Sequence, residues 1–224
     1  LAKEINDQEG IARGLNNIAA VYGNQSEYKK AQEYIEQAIA INLELGNKQW
    51  VGINYMNLGL TSQELQEPQK ALEYFQHSLL LFEDLENKIW QAKCQINIGA
   101  YYIYNQEFEE AVECAGLALE MAQEHRMRKV AHDAYELYRD VYLAKGDTIS
   151  AYEYTLLIIA ANDSLNVEKN KALLYKLEMQ YEIEKKEQEE RIKAQKQDFI
   201  VIITILSLAS ALIIILLLWA RQRV

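Results

Sequence analysis

The chain has 224 residues, 33 Asp and Glu against 23 Lys and Arg, and a formal net charge of −10. That acidic balance argues against nucleic acid as a partner. Two cysteines make no disulfide framework and no metal cage, and nine glycines with a single proline, Pro68, point to an almost wholly helical chain. The charge is uneven: residues 1–165 carry 13 Lys and Arg against 25 Asp and Glu, whereas residues 166–198 carry eight of each. His77, His125 and His132 have no ligand spacing. There is no nucleophile–base pair and no glycine-rich phosphate loop. We therefore expect no enzyme activity, no cofactor and no metal site within this segment. The chain opens on Leu1 and stops four residues beyond a long apolar run, as a piece cut from a longer protein does.

In chain order, a forty-residue period comes first. Ala31, Ala71, Ala111 and Ala151 are in register, as are Asn17, Asn57 and Asn97, and Ala19, Gly59 and Gly99. Each block holds two stretches with apolar residues at three- and four-residue spacing. They are parted by short polar breaks at Asn24–Glu27, Gln66–Glu67, Asn105–Glu107 and Gly146–Asp147. Small residues recur where two helices must approach closely. One helix pair cannot bury its own face, but stacked pairs can, so the period predicts a superhelical α-solenoid of antiparallel helix pairs. The units are residues 12–51, 52–91, 92–131 and a degenerate fourth at 132–165, with a remnant of an earlier unit at 1–11.

These blocks resemble the tetratricopeptide repeat (TPR). Leu15, Ile18, Ala19, Tyr22, Ala31, Ile35 and Ala38 meet its pattern in the first copy. Tyr55, Leu58, Gly59, Ala71, Phe75 and Ser78 meet it in the second, and Ile98, Gly99, Tyr102, Ala111 and Ala118 in the third. The fourth copy departs, with Arg139 where a small residue is expected. A period of forty rather than ~34 implies long helices, as in the kinesin light chain and bacterial quorum-sensing peptide receptors.

Residues 166–198 read as a capping helix and charged stalk. Leu173, Leu174, Leu177, Met179, Tyr181 and Ile183 form an early apolar face. Glu182–Lys186, Glu187–Arg191 and Glu189–Lys193 follow at i,i+4 spacing, each worth about 0.2–0.5 kcal/mol. This stretch is either a solvated linker or the stalk of a parallel homodimer. Residues 199–220 carry no charge and would make roughly 33 Å of helix against a hydrocarbon core of about 30 Å. We read them as one transmembrane helix in a lipid bilayer, with Ser207 and Ala211 as a small-residue contact. Residues 221–224 begin the far-side juxtamembrane segment.

The TPR resemblance further implies that the first helix of each pair lines a concave groove. On it would fall Arg13, Asn16 and Asn17, then Asn57, Lys93 and Asn97, and finally Asp133, Glu136 and Asp140. Carboxamides can pair with the backbone of an extended peptide whatever its sequence. The expected partner is thus a protein or peptide segment. The order of array, stalk and span resembles bacterial membrane sensors with a histidine kinase or DNA-binding output. That places the protein in the bacterial inner membrane with periplasmic repeats. The alternative is a tail-anchored adaptor with cytoplasmic repeats.

Overall fold

The computed structural model describes the backbone of residues 2–161 and 167–222, and the side chains of residues 7–160, 175, 176 and 178–207. Within these residues the elements are all helices: α1 (Ala2–Asn24), α2 (Tyr28–Glu44), α3 (Lys48–Glu64), α4 (Pro68–Asp84), α5 (Lys88–Tyr104), α6 (Phe108–Glu124), α7 (Arg128–Lys145), α8 (Thr148–Ala161) and α9 (Val167–Gln222). The chain divides into two compact units, residues 1–170 and 171–224.

In the first unit, sequential helices pack antiparallel in the pairs α1/α2, α3/α4, α5/α6 and α7/α8, and neighbouring pairs stack into an α-solenoid. The second helices begin at residues 28, 68, 108 and 148, so the forty-residue period of the sequence is the period of the fold. Helices α2 to α6 are 17 residues each, joined by three-residue turns. Every turn is built the same way. Ser26, Gly46, Gln66, Glu86, Gln106, Arg126 and Gly146 all have φ between 50° and 75°. The residue that follows sends its N–H back to the carbonyl five residues earlier: Glu27 to Tyr22, Glu67 to Ser62, Asn87 to Phe82 and Glu107 to Tyr102, each at 2.9 Å. This left-handed C-terminal cap satisfies carbonyls that the helix end leaves open. The same residue then caps the next helix. Asn47 and Asn87 accept the N–H of Trp50 and Trp90 through their side chains, as Asp147 does from Ser150 at 3.1 Å.

The core lies inside this zigzag. Ala31, Ala71, Ala111 and Ala151 are all buried, as are the residues four further on, Ile35, Phe75, Ala115 and Thr155. This i, i+4 stripe is the inward face of each second helix. Small residues let the facing helix approach. A Cβ on Gly59 would lie 2.4 Å from the Phe75 ring, and one on Gly99 would lie 2.5 Å from Leu137 and 3.1 Å from Cys114. Arg139 replaces that small residue in the fourth pair. Its guanidinium instead runs along α7 to Asp140 at 2.8 Å and Glu136 at 3.6 Å. The pair is held by stacked tyrosines, Tyr138–Tyr154 at 4.4 Å and Tyr142–Tyr154 at 5.6 Å between centroids.

The second unit consists of α9 from Lys171 onward. Met179, Ile183 and Ile192 are exposed there, while Leu173, Leu174 and Leu177 lie outside the described side chains. Of the three expected ion pairs, Glu187–Arg191 closes, at 3.7 Å. The membrane-spanning part of the expected architecture is corrected. Among the described residues, no helix is long and apolar enough to cross a membrane. Of the apolar run, the side chains of residues 199–207 are described. They amount to roughly 14 Å of helix, under half a hydrocarbon core of about 30 Å, and follow directly on a charged stretch. The transmembrane helix at 199–220, the bilayer as a partner, and the single-pass inner-membrane location with either orientation of the repeats fall with it. Ser207 is exposed and its hydroxyl donates to the Thr204 carbonyl at 2.8 Å; Ala211 lies outside the described side chains.

Two outcomes follow from this packing. Gly59→Ala gains about 1 kcal/mol of helix propensity but forces a methyl into Phe75, at about 1–3 kcal/mol. Denaturant unfolding will show net destabilisation, and adding Phe75→Leu will reverse the sign of the Gly59→Ala effect. Replacing Glu86 and Gln106 together by Gly relieves about 1–2 kcal/mol of left-handed strain at each site, partly offset by about 0.4–1 kcal/mol of unfolded-state entropy. The doubly substituted chain will unfold at higher denaturant with an unchanged slope.

Candidate functional site

The first helices α3, α5 and α7 line an open groove of about 370 Å³. Met56, Ile96 and Leu137 give it an apolar floor, and Asn97, Asp133, Glu136 and Asp140 give it a polar edge with Lys93 and Lys129. The periodicity explains why these residues meet. Lys93, Ile96, Asn97 and Ala100 fall on one face of α5, and Lys129, Asp133, Glu136, Leu137 and Asp140 on one face of α7.

The groove's charges are held in place. The Lys93 ammonium sits 4.2 Å from the centroid of the Trp90 ring, a cation–π contact that fixes its direction. Asn97 donates from Nδ2 to the Lys93 carbonyl at 3.1 Å, which leaves its Oδ1 as the acceptor on offer. Arg139 bridges Glu136 and Asp140, so part of the acidic edge is already neutralised. His132 Nδ1 lies 3.6 Å from Asp133 and 3.7 Å from Glu136. Ligand atoms of these three residues lie within 4.8 Å of one another. With the Arg139 guanidinium on the same Glu136 carboxylate, we assign them no metal.

The sequence-derived groove residues therefore separate: eight of the nine line three different cavities, and Asn17 lines none of these. Lys93, Asn97, Asp133, Glu136 and Asp140 share the α3/α5/α7 groove. Asn57 lines a different open cavity of about 390 Å³ between α1, α2 and α3, with Ala20, Leu60 and Tyr28. Arg13 and Asn16 line a third and smaller one with Asn42, Asn47 and Trp50. Asn17 is exposed on α1. Lys93 and Lys129 line the same groove as the three carboxylates. Lys129 escaped the sequence reading. It stands one turn before Asp133 on the same α7 face, so extending the i, i+4 pattern backwards finds it.

Neither cysteine belongs to a site. Cys94 and Cys114 are free and buried, and burial pushes both thiols up to about 11. The Cys94 thiol donates to Ser78 Oγ at 3.3 Å, and Ser78 donates in turn to the Gly52 carbonyl at 2.8 Å. A thiol that stays protonated is no nucleophile at neutral pH.

Two stretches of the chain, residues 10–77 and 50–124, match the tetratricopeptide repeat family, and together they cover just over half of it. The chain is similar to the crystal structure of BtubC (BKLC) from P. vanneervenii, with 22% identity and a TM-score of 0.59, over 67% of this chain and 62% of that one. It is similar to the apo form of RapI, with 19% identity and a TM-score of 0.68, over 78% of this chain and 49% of that one. A kinesin-light-chain-type protein of nearly identical TPR-like repeats from Podosopora anserina has 19% identity and a TM-score of 0.61, over 85% of this chain and 98% of that one. The chain thus spans less than two thirds of BtubC and about half of RapI. At these identities the likeness concerns the fold alone. No curated protein matches the chain.

The buried thiols have a measurable consequence. In the folded chain, iodoacetamide will leave Cys94 and Cys114 unlabelled at pH 8 and will label both in denaturant. A thiol pKa raised by folding means that the unfolded chain loses its protons first. The thiols' contribution to stability is full below about pH 9 and is lost as the pH climbs toward 11. Cys94→Ala with Cys114→Ala will flatten that part of the pH–stability curve.

Proposed function

Because this chain belongs to the tetratricopeptide repeat family, we propose that it is a non-catalytic protein-interaction module that holds an extended peptide segment along its first helices. The repeat units we take for this are residues 12–51, 52–91, 92–131 and 132–165. One observation carries the reading: the α3/α5/α7 groove combines an apolar floor with hydrogen-bonding and charged edges. An extended peptide presents apolar side chains and backbone amides at short intervals, and both can be met there. Asn97 Oδ1 accepts from a peptide N–H. Met56, Ile96 and Leu137 receive an apolar side chain. Arg139 bridges Glu136 and Asp140, so Asp133 is the carboxylate of the groove that we take to favour a basic residue against α7. The Asn57 cavity, with Leu60 and Ala20, offers a second landing point of the same chemistry.

Selection of binders to the full chain from a random-peptide display library tests this. Peptides recovered will pair an apolar residue with a nearby Lys or Arg. Each lost hydrogen bond costs about 0.5–1.5 kcal/mol, so Asn57→Ala with Asn97→Ala will weaken the best peptide by roughly tenfold. Asp133→Asn with Asp140→Asn will remove the preference for the basic residue. Peptides that bind all these variants as tightly as the native chain would place the interaction on another face.

A further inference from the structure

The forty-residue repeat aligns Thr61 of α3 with Tyr101 of α5 and Val141 of α7. Tyr101 and Val141 are buried, at 8% and 0% exposure, whereas Thr61 is half-buried. Tyr101 reaches back from α5 to the preceding pair, where its hydroxyl donates to Gln69 Oε1 on α4 at 3.1 Å. The second pair thus holds a tyrosine of its neighbour, buried and bonded at its hydroxyl. One repeat earlier both members of that contact are replaced. Thr61 has no ring and gives its hydroxyl to the Asn57 carbonyl of its own helix at 2.8 Å, and Lys29 stands at the register of Gln69.

The corresponding place in the first pair is the open cavity of about 390 Å³ between α1, α2 and α3. Ala20, Gly23, Tyr28, Asn57, Leu60 and Thr61 line it with accessible surface. Two registers of α1 widen it, since Ala20 and Gly23 stand where α3 has Leu60 and Gln63. A Cβ on Gly23 would meet nothing within 4 Å. Leu60, 42% exposed, gives an apolar wall, and Tyr28 gives an aromatic one. Glu64 is the one charged residue of the lining. Apolar walls with polar groups at the edge suit a side chain that is apolar in its body and polar at its tip. The carboxylate favours a cation beside that side chain.

We propose that this cavity takes a tyrosine side chain of the bound peptide, with a Lys or Arg next to that tyrosine on Glu64. The ring occupies the place that Tyr101 fills in the second pair, and the Lys29 ammonium donates to the phenol oxygen as the counterpart of the Tyr101–Gln69 bond. Such selectivity rests on the peptide-binding reading of the first helices and names one residue that the peptide brings. Met56 and Asn57 are consecutive on α3, one in each cavity, so the same segment reaches the α3/α5/α7 groove by crossing α3.

NMR titration of the full chain with the hexapeptide acetyl-Gly-Ser-Tyr-Lys-Ser-Gly-amide tests this. The same peptide with Leu for Tyr, and with Glu for Lys, supplies the controls. The tyrosine peptide will bind at roughly millimolar concentration or better and shift the Leu60 and Thr61 methyl signals. The leucine version will bind about tenfold more weakly, and the glutamate version will also lose affinity. Thr61→Tyr with Lys29→Gln rebuilds the second pair's contact and will abolish binding. Should that variant fail to fold, Ala20→Leu decides: at an exposed position it brings in the second pair's residue, narrows the cavity and will weaken binding severalfold. Glu64→Gln will erase the preference for Lys over Glu. No shift with the tyrosine peptide, equal affinity for the leucine version, native affinity in both cavity-filling variants, or an unchanged preference in Glu64→Gln overturns the proposal. Display-selected peptides tell the two failures apart. If this cavity alone fails, they will still lose affinity for Asn97→Ala with Asp133→Asn; if the groove fails, they will bind that variant as tightly as the native chain.

Discussion

Every other feature of this array depends on a three-residue turn that recurs every twenty residues. A helix end leaves several carbonyls without partners, and a buried or half-buried end must satisfy them. Here one residue takes the left-handed conformation, and the next returns its N–H to the helix it has just left. That same residue opens the following helix. With no spare residue in the turn, consecutive helices must lie antiparallel and in contact. Seventeen helical residues plus the turn set the half-period, and the phase of the apolar stripe is carried unchanged from pair to pair. Two of the seven left-handed positions are glycine and five carry side chains. The array accepts that strain because the capping bonds and the packed stripe on either side over-determine the turn.

Given this frame, the interior is a matter of matching sizes across facing helices. Gly59 admits the Phe75 ring, and Gly99 admits Leu137. Where Arg139 ends that pattern, stacked tyrosines take over the contact. The core is not uniformly apolar. Asn54 and Ser62 are buried with side-chain polar atoms lacking a partner, at registers where the third pair has Cys94 and Tyr102. Such groups each cost about 1–3 kcal/mol, so the α3/α4 pair is held by its aromatic packing against a polar burden. Asn16 and Asn42 bring buried amide atoms of the same kind to the first pair.

The interaction surface follows from the same geometry. First helices present one face to their own partner and one to the next pair, which leaves a third face open. Residues at spacings of three, four and seven on α5 and α7 therefore gather on one groove although they lie about forty apart in the chain. The cation–π contact of Lys93 on Trp90 and the Arg139 bridge fix charges that would otherwise sweep through solvent. A groove with ordered charges loses less side-chain freedom on binding than a flexible one.

The sequence by itself determined the helix pairs, the period, the turns and the positions of close approach. All of these depend on local spacing and on side-chain size, and both are written in register along the chain. The same spacing made Lys93, Asn97, Asp133, Glu136 and Asp140 legible as residues of first helices. It also pointed to a membrane-spanning helix at 199–220, because composition alone counts apolar residues; the described helices contain no such span. Only the tertiary structure decided which first-helix residues share a cavity. Arg13 and Asn16 share theirs with Asn42, Asn47 and Trp50, residues of α2, its following turn and α3. The stacking of the pairs spread these first-helix residues over three separate cavities, and that stacking depends on side-chain volumes at every interface, which no single register of the sequence contains.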